Sequence, residues 1–576
     1  MGGVFSWRKI LVERWREVFS GFSKTGSSKC LLSSLPSCSS DTQLRVQGNC
    51  PSLLELSVHK ICENIHEFKS FYILPRDISQ LIFDELVRSY CLTGVNLEAF
   101  RDCALQYIHL RGYPGVDDYW MDIISSQGQS LLSLDISCSG VRDSALGVLK
   151  DCFNLQNLAF NYCDQISDSG LGFMSGLSNL TSLSFKQSNG LTAEGMKAFA
   201  SLLNLVNLDL QRCLKIHGGL IHLRGLTKLE SLNINYCNDV SDEDMDPLSG
   251  LSNIKELKMS CTKVTDMGIA LLNGLHKLSH LNLEGCPVTT ASLKSISGFV
   301  SLLHLNLNRC DLTDDGCEKL SELINLEVLN LGYTKITNAC LVHLKGLTNL
   351  EILNLDSCII SSKGLLNLKG LLRLKRLELS DTGVKSEALH HLSDLHNLED
   401  LNLSFTLVSD GGLIALSRLT SLKSLNLDVY GITDAGLPSL QSLSRLTHLD
   451  LFDALITDFG MNYFKYFKNL QSLEVCGGLV TDAGVKNIED LTSLNLLNLS
   501  QNRLLTDKAL EYISGLTNLT LLNVSNSNIT NAGLRHLKPL KNLRSIHLHL
   551  CGMTAYELKK LHLDCLPNLG HYRERV

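Results

Sequence analysis

The chain has 576 residues, a net charge of −7 and 44% hydrophobic against 19% charged residues. That mildly acidic balance gives no push toward nucleic acid, and no run of 18 apolar residues offers a membrane span. Charges interrupt the opening MGGVFSWRKILVERWREVF, so it does not read as a secretory signal. The 20 cysteines form no C-x-x-C pair, and the expectation is reduced thiols in the cytoplasm or nucleus.

Residues 1–24 predict a basic amphipathic N-terminus. Trp7, Leu11, Trp15, Val18 and Phe22 recur at helical spacing beside Arg8, Lys9, Arg14 and Arg16. Gly2 to Ser6 fit M-G-x-x-x-[ST], which makes Gly2 a candidate for myristoylation. One acyl chain binds membranes weakly, so the basic helix, or palmitoylation of Cys30 or Cys38, would supply a second signal toward a membrane surface. Residues 25–50 are serine-rich and read as a disordered linker.

Residues 51–129 have no long repeat and predict helices. ILPRDISQLIFDELV (73–87) places Pro75 at a helix start and puts Ile78, Leu81, Ile82 and Leu86 on one face. Its spacing, L-P-x-[DE]-[IL]-x-x-x-I-F-x-x-L, resembles the first helix of the F-box, carried by Leu74, Pro75, Asp77, Ile78, Ile82, Phe83 and Leu86. The resemblance implies that Leu74, Pro75, Ile78, Ile82, Phe83 and Leu86 bind the Skp-type adaptor of a cullin–RING ubiquitin ligase. The match is partial: LEAFRDCALQYIHL has Phe100 and Cys103, but no tryptophan precedes Trp120. Upstream, SLLELSVHKICENI (52–65) resembles an elongin-binding box through Ser52, Leu53 and Ile61, with Ser57 where a cysteine is expected. The alternative for both helices is a plain cap closing the first repeat, which a solenoid requires in any case.

From residue 130 to 551 the chain repeats. Taking the second leucine of L-x-x-L-x-L as anchor, units recur from Leu134 through Leu281 and Leu305 to Ile546, 18 in all, spaced 24 or 25 residues apart. The L-x-L piece alternates and predicts a short strand. The following Thr-Asp or Ser-Asp, as at Thr265-Asp266 and Thr433-Asp434, supplies oxygens that cap a short helix. The glycines Gly268, Gly316, Gly436 and Gly484 are expected to let helix and strand approach closely. About six inward apolar side chains per unit, each worth roughly 1.5–3 kcal/mol when buried, can be covered only by the neighbouring units. The predicted fold is an α/β leucine-rich-repeat solenoid, a horseshoe with a concave parallel sheet and convex helices. Residues 552–576 are its C-terminal cap. The pattern resembles the cysteine-containing, ribonuclease-inhibitor-like leucine-rich repeats over about three quarters of the chain.

The columns at +1, +3 and +4 from each anchor are expected on the concave face. The +1 column is mostly Asn, for example Asn282, Asn306 and Asn330, and reads as a structural ladder. The varied +3 and +4 columns are where recognition is expected. Tyr162, Arg212, Tyr236, Arg309, Tyr333 and Phe405 are the candidates for binding a protein substrate, being of types enriched in hot spots. Lys186 joins that basic and aromatic half, and Asp356, Asp381, Asp428 and Asp453 mark an acidic half. At +5, Cys163, Cys213, Cys237, Cys286, Cys310, Cys358 and Cys551 alternate with Thr262, Thr334, Thr382, Thr406 and Asn502. That exchange predicts buried, reduced structural thiols. The six N-x-[ST] sequons, Asn179 and Asn498 among them, arise from the Asn-Leu of the repeat.

No nucleotide-binding, zinc-protease or serine-hydrolase motif is present. His280 and His304 share a column in adjacent units, yet two nitrogens make a poor metal site. The expectation is no enzyme activity, no cofactor and no metal. The function implied is a substrate receptor of a cullin–RING ligase, binding a Skp-type adaptor or elongin C and one protein target. The alternative is a membrane-associated repeat scaffold. The expected location is cytoplasmic, nuclear or membrane-attached, with the chain monomeric in its complex.

Overall fold

The structure is a computed structural model, described for residues 52–572 apart from Gly478 and Pro567. The predicted amphipathic N-terminus with Gly2 and the serine-rich linker lie outside the described residues.

Twenty short strands form one sheet. Each strand runs parallel to the one a unit earlier and in register with it. Ile108 pairs with Leu134, Leu281 with Leu305, and Leu522 with Ile546. In the strand Glu256–Lys258 the anchor Leu257 is buried, while Glu256 and Lys258 face outward half-exposed, as the two-residue period requires. Leucines from strands and helices fill one continuous core. This is the leucine-rich-repeat solenoid expected from the periodicity.

The segments on the far side of the core are shorter than ordinary helices, for example Asp266–Ala270, Cys317–Glu322 and Leu437–Leu440. A 24-residue unit, after a strand and two turns, has room for only one or two helical turns, and many of these are 3-10.

Their starts follow one scheme. Thr433 caps its own segment, its hydroxyl accepting from Ala435 N–H (3.2 Å). Asp410, from the preceding unit, accepts both the Thr433 N–H (2.8 Å) and its hydroxyl (2.7 Å). The same pair joins Asp242 to Thr265, Asp266 to Thr289 and Asp482 to Thr506. Thr-Asp therefore has two tasks: threonine caps its own segment, and aspartate ties down the next. The glycine that follows makes room for this carboxylate. A Cβ on Gly436 would stand 2.5 Å from Asp410 Oδ1. The close approach is thus to the neighbouring unit's carboxylate rather than between helix and strand. Gly316 differs, adopting a left-handed φ of 84°.

The sheet extends one strand beyond the predicted repeats at each end. Leu105, Ile108 and Leu110 already have the L-x-x-L-x-L spacing, and Tyr107–His109 forms the first strand. Trp120, buried in the helix Asp118–Ser125, belongs to this first unit. At the far end, His571–Tyr572 pairs with Ser545 and Ile546 after the helix Ala555–Cys565. The open edge of the first strand is met by the helix Arg76–Arg88. Gln80 accepts from Gln106 N–H (3.1 Å) and Tyr107 N–H (3.2 Å), and donates to Tyr107 C=O (2.7 Å). One side-chain amide thereby imitates the rung of a missing strand.

Replacing Gly436 with alanine is expected to lower the urea midpoint by the equivalent of about 1–3 kcal/mol through overpacking. Asp410→Ala in the same chain should cost less than the sum of the two single changes, because they share one contact.

Candidate functional site

The F-box-like helix spans Arg76–Arg88 with Pro75 at its N-cap. Ile82, Phe83 and Leu86 are at most 1% exposed. Phe83 packs edge-on to Phe100 (5.4 Å between centroids), and Phe100 packs on Phe71 (5.0 Å). These three predicted adaptor contacts therefore form the core of the capping region, and no partner reaches them while it is folded. Leu74 and Ile78 are half-buried against that core, and Pro75 is exposed. The exposed apolar side chains here are Tyr72, Ile73 (89%), Leu81 (43%), Tyr90 and Val95 (84%). Helical spacing alone did not separate Leu81 from Ile82, because the helix packs on two sides. In the elongin-box-like stretch, Leu53 is exposed and Ile61 half-buried on the helix Leu53–Glu63.

On the sheet face, the +1 asparagines are structural. Asn282 Oδ1 accepts from Glu284 N–H (3.0 Å), Asn306 from Asn308 N–H (3.0 Å) and Asn402 from Ser404 N–H (2.9 Å). Each closes the strand end of its own unit. The sequence reading omitted one outward column, the residue before each anchor. There stand Glu256, His280, His304 and Arg376, each the first residue of its strand. The alternation of the strand was the signal that could have included them.

Tyr162, Arg212, Tyr236, Arg309, Tyr333 and Phe405 fall in a single +4 row, all with φ between 56° and 62°. Left-handed backbone costs a bulky residue about 1 kcal/mol or more. It is enforced here by the ladder: Tyr236 N–H donates to Ser260 C=O (2.7 Å) and Tyr333 N–H to Asp356 C=O (2.7 Å). Cys261, Ser357 and Gln501 share the conformation, so the strain belongs to the fold. Within the row, Arg212 lies over Tyr236 (5.2 Å) and Arg309 over Tyr333 (4.6 Å). Phe405 stands apart from these pairs, and Tyr162 lies two units before Arg212. Lys186 forms an ion pair with Asp209 (2.9 Å).

The +5 thiols point inward. Cys286 Sγ donates to Met259 C=O (3.0 Å), Cys213 to Phe185 C=O (3.0 Å) and Cys358 to Leu331 C=O (3.1 Å), each in the preceding unit. The threonines at +5 donate instead to their own unit, as Thr334 does to Leu331 C=O (2.7 Å). Cys163, Cys213, Cys237, Cys286, Cys310 and Cys358 are buried free thiols. Burial pushes Cys213, Cys237 and Cys310 up to about 12, and Cys286 upward as well. A thiol held neutral in this way is a poor nucleophile and a poor metal ligand.

His280 and His304 stack edge to face with centroids 4.1 Å apart, and burial together with the His280 charge lowers the His304 pKa. Among the described residues no group of three His, Cys, Asp or Glu side chains is placed to hold a metal ion. Also among them, no helix is long and apolar enough to cross a membrane.

The family described as Leucine Rich repeat matches residues 225–249, 300–321 and 394–417. No curated protein matches the chain. Among solved structures, an internalin of Listeria monocytogenes is 23% identical, with 61% of this chain and 89% of that chain covered and a TM-score of 0.44. A leucine-rich-repeat protein of Leptospira interrogans is 22% identical, covering 76% and 94%, with a TM-score of 0.42. The ectodomain of the Arabidopsis receptor kinase HAESA, solved with an N-terminally extended IDA peptide hormone ligand, is 16% identical, covering 77% and 78%, at 0.45.

Two outcomes follow from the thiol column. Stability should fall as pH rises above about 9 and continue falling toward 12. The folded thiols keep their protons there while the unfolded ones lose them, which favours unfolding; urea midpoints measured across that range check it. Cys286→Ser should cost about 1 kcal/mol and leave partner binding intact, and a maleimide at neutral pH should label exposed Cys138 well before Cys286.

Proposed function

We propose that the chain is a non-catalytic substrate receptor of a cullin–RING ubiquitin ligase. Its sheet face would hold the target protein, and its N-terminal helices would hold a Skp-type adaptor or elongin C. The acceleration is then one of proximity, and the bond-making belongs to the recruited conjugating enzyme. The observation that carries this reading is the helical region ahead of the repeats, with its L-P-x-D-I start and the individually exposed Tyr72, Ile73, Leu81 and Val95. The buried Ile82, Phe83 and Leu86 support it only indirectly, by fixing the helix that presents Leu81 and that Ile73 precedes. The sheet face supports the receptor half through two Arg–Tyr stacks in its +4 row.

The test is co-purification of the full chain with each adaptor. Wild type should retain one of them, and Ile73→Asp with Leu81→Arg should abolish retention without changing the thermal midpoint, since both positions are exposed. Failure of wild type to retain either adaptor would overturn the proposal.

A further inference from the structure

At +6 each unit has left its strand and not yet reached its helical segment, so this column runs along the flank of the solenoid. Backbone bonds hold it in register. The N–H groups of Ile359, Leu407 and Leu455 donate to the carbonyls of Ile336 (3.0 Å), Val384 (2.9 Å) and Ile432 (2.8 Å) in the preceding units. The column changes character halfway. In the units anchored from Leu158 to Leu329 it is mostly polar, and its lysines are paired, Lys263 with Asp239 (3.1 Å) and Lys335 with Asp311 (2.6 Å). From Leu353 to Leu473 the same column reads Ile359, Gly383, Leu407, Gly431, Leu455 and Leu479. Its four large side chains are 46–63% exposed, and Tyr430 beside Gly431 is exposed as well.

One exposed leucine is ordinary. Six consecutive units without a polar residue in the column are not, because the earlier units show that the fold accepts Lys, Asp or Asn there. An exposed apolar patch with a polar rim marks an interaction site. Here the rim is acidic. The +3 and +4 positions of these six units include Asp356, Asp381 and Asp453, each at least partly exposed, and no Lys or Arg. The spacing is specific too. Ile359, Leu407 and Leu455 recur every second unit, with glycines between them. Two units span about 10 Å at the spacing of parallel strands. Residues seven apart on one face of an α-helix are separated by about 10.5 Å. In an extended segment the residues nearest that spacing are three apart and point to opposite sides.

We propose that this flank is a second docking surface, which takes an amphipathic helix of a partner protein with Lys or Arg beside its apolar stripe. The helix lies along the column, its apolar residues against Ile359, Leu407 and Leu455 and its cations toward the carboxylates on the concave side. A second copy of this chain is the poorer occupant, because it would bring the same carboxylates together. The surface goes beyond the receptor reading and uses neither the adaptor helices nor the Arg–Tyr stacks.

The probe is a fluorescein-labelled amphipathic peptide of leucine and lysine, about 18 residues long so that it spans the column. The full chain is titrated into it and followed by anisotropy. It should bind about tenfold more tightly than a peptide with Glu for each Lys, and than one of the same composition in scrambled order. Leu407→Gln with Leu455→Gln should weaken it by about tenfold and leave the urea midpoint unchanged, since both side chains are exposed. Leu203→Gln with Leu372→Gln, equally exposed but outside the column, should change nothing. Equal binding of the lysine and glutamate peptides, equal loss in the two double variants, or binding by no peptide would each overturn the proposal. So would a wild-type dimer in sedimentation that Leu407→Gln with Leu455→Gln makes monomeric, which gives the flank to a second copy. No adaptor takes part, so this result stands apart from that of the co-purification.

Discussion

The described units depend on their neighbours to satisfy part of their polar groups. The aspartate that follows a capping threonine has its hydrogen bonds in the next unit, as Asp410 does with Thr433. The +5 thiol donates to a carbonyl in the preceding unit, as Cys286 does to Met259. Along the other turn, asparagine side chains reach back to backbone carbonyls: Asn349 to Ile324 (3.1 Å) and Asn397 to Leu372 (2.9 Å). The leucines obey the same rule, since a short strand and a helical turn cannot cover their own apolar faces. Apolar burial drives stacking, but it is indifferent to register. The three polar ladders supply the register, because a neighbour displaced by one residue would leave buried donors and carbonyls unpaired. That requirement holds the spacing at 24 or 25 residues over the whole array.

An array built on neighbours has a difficulty at each end, where one neighbour is missing. At the start, Gln80 supplies backbone-like contacts to Gln106 and Tyr107, and Gln127 does the same to Leu105 N–H (2.9 Å) and Phe100 C=O (3.0 Å). The helix that resembles an F-box element is therefore also the plug of the sheet. Its sides are unlike. Ile82, Phe83 and Leu86 face inward as the cap, while Ile73 and Leu81 face solvent.

The repeat was legible because each column has a single physical reason that recurs at every unit: leucine for burial, asparagine to close the strand, a small donor at +5. The terminal units were missed because their columns are degenerate. Ile108 stands for the anchor leucine, Asp117 and Asp118 for Thr-Asp, and the unit lies in a stretch that also looked like an F-box. The adaptor residues were only partly legible, since a one-dimensional apolar pattern shows which side chains want burial and not which of them obtain it. The omission of the residue before each anchor has a simpler cause. Leucine periodicity draws attention to what faces the core, and the strand's outward partners follow only when both neighbours of the anchor are counted.

A protein this periodic hides its specific features in its departures. Asn282 and Asn306 are interchangeable in role, and so are Tyr162 and Gln187 in backbone conformation; neither column tells a partner where to stop. Where the pattern lapses, a position is freed from the shared scheme. Cys261 and Gly285 interrupt the row of large +4 side chains between Tyr236 and Arg309, so the two Arg–Tyr stacks stand as separate prominences rather than a continuous ridge. Gly332 interrupts the +3 column one unit after Asn308, the one described residue whose buried side-chain oxygen lacks a donor.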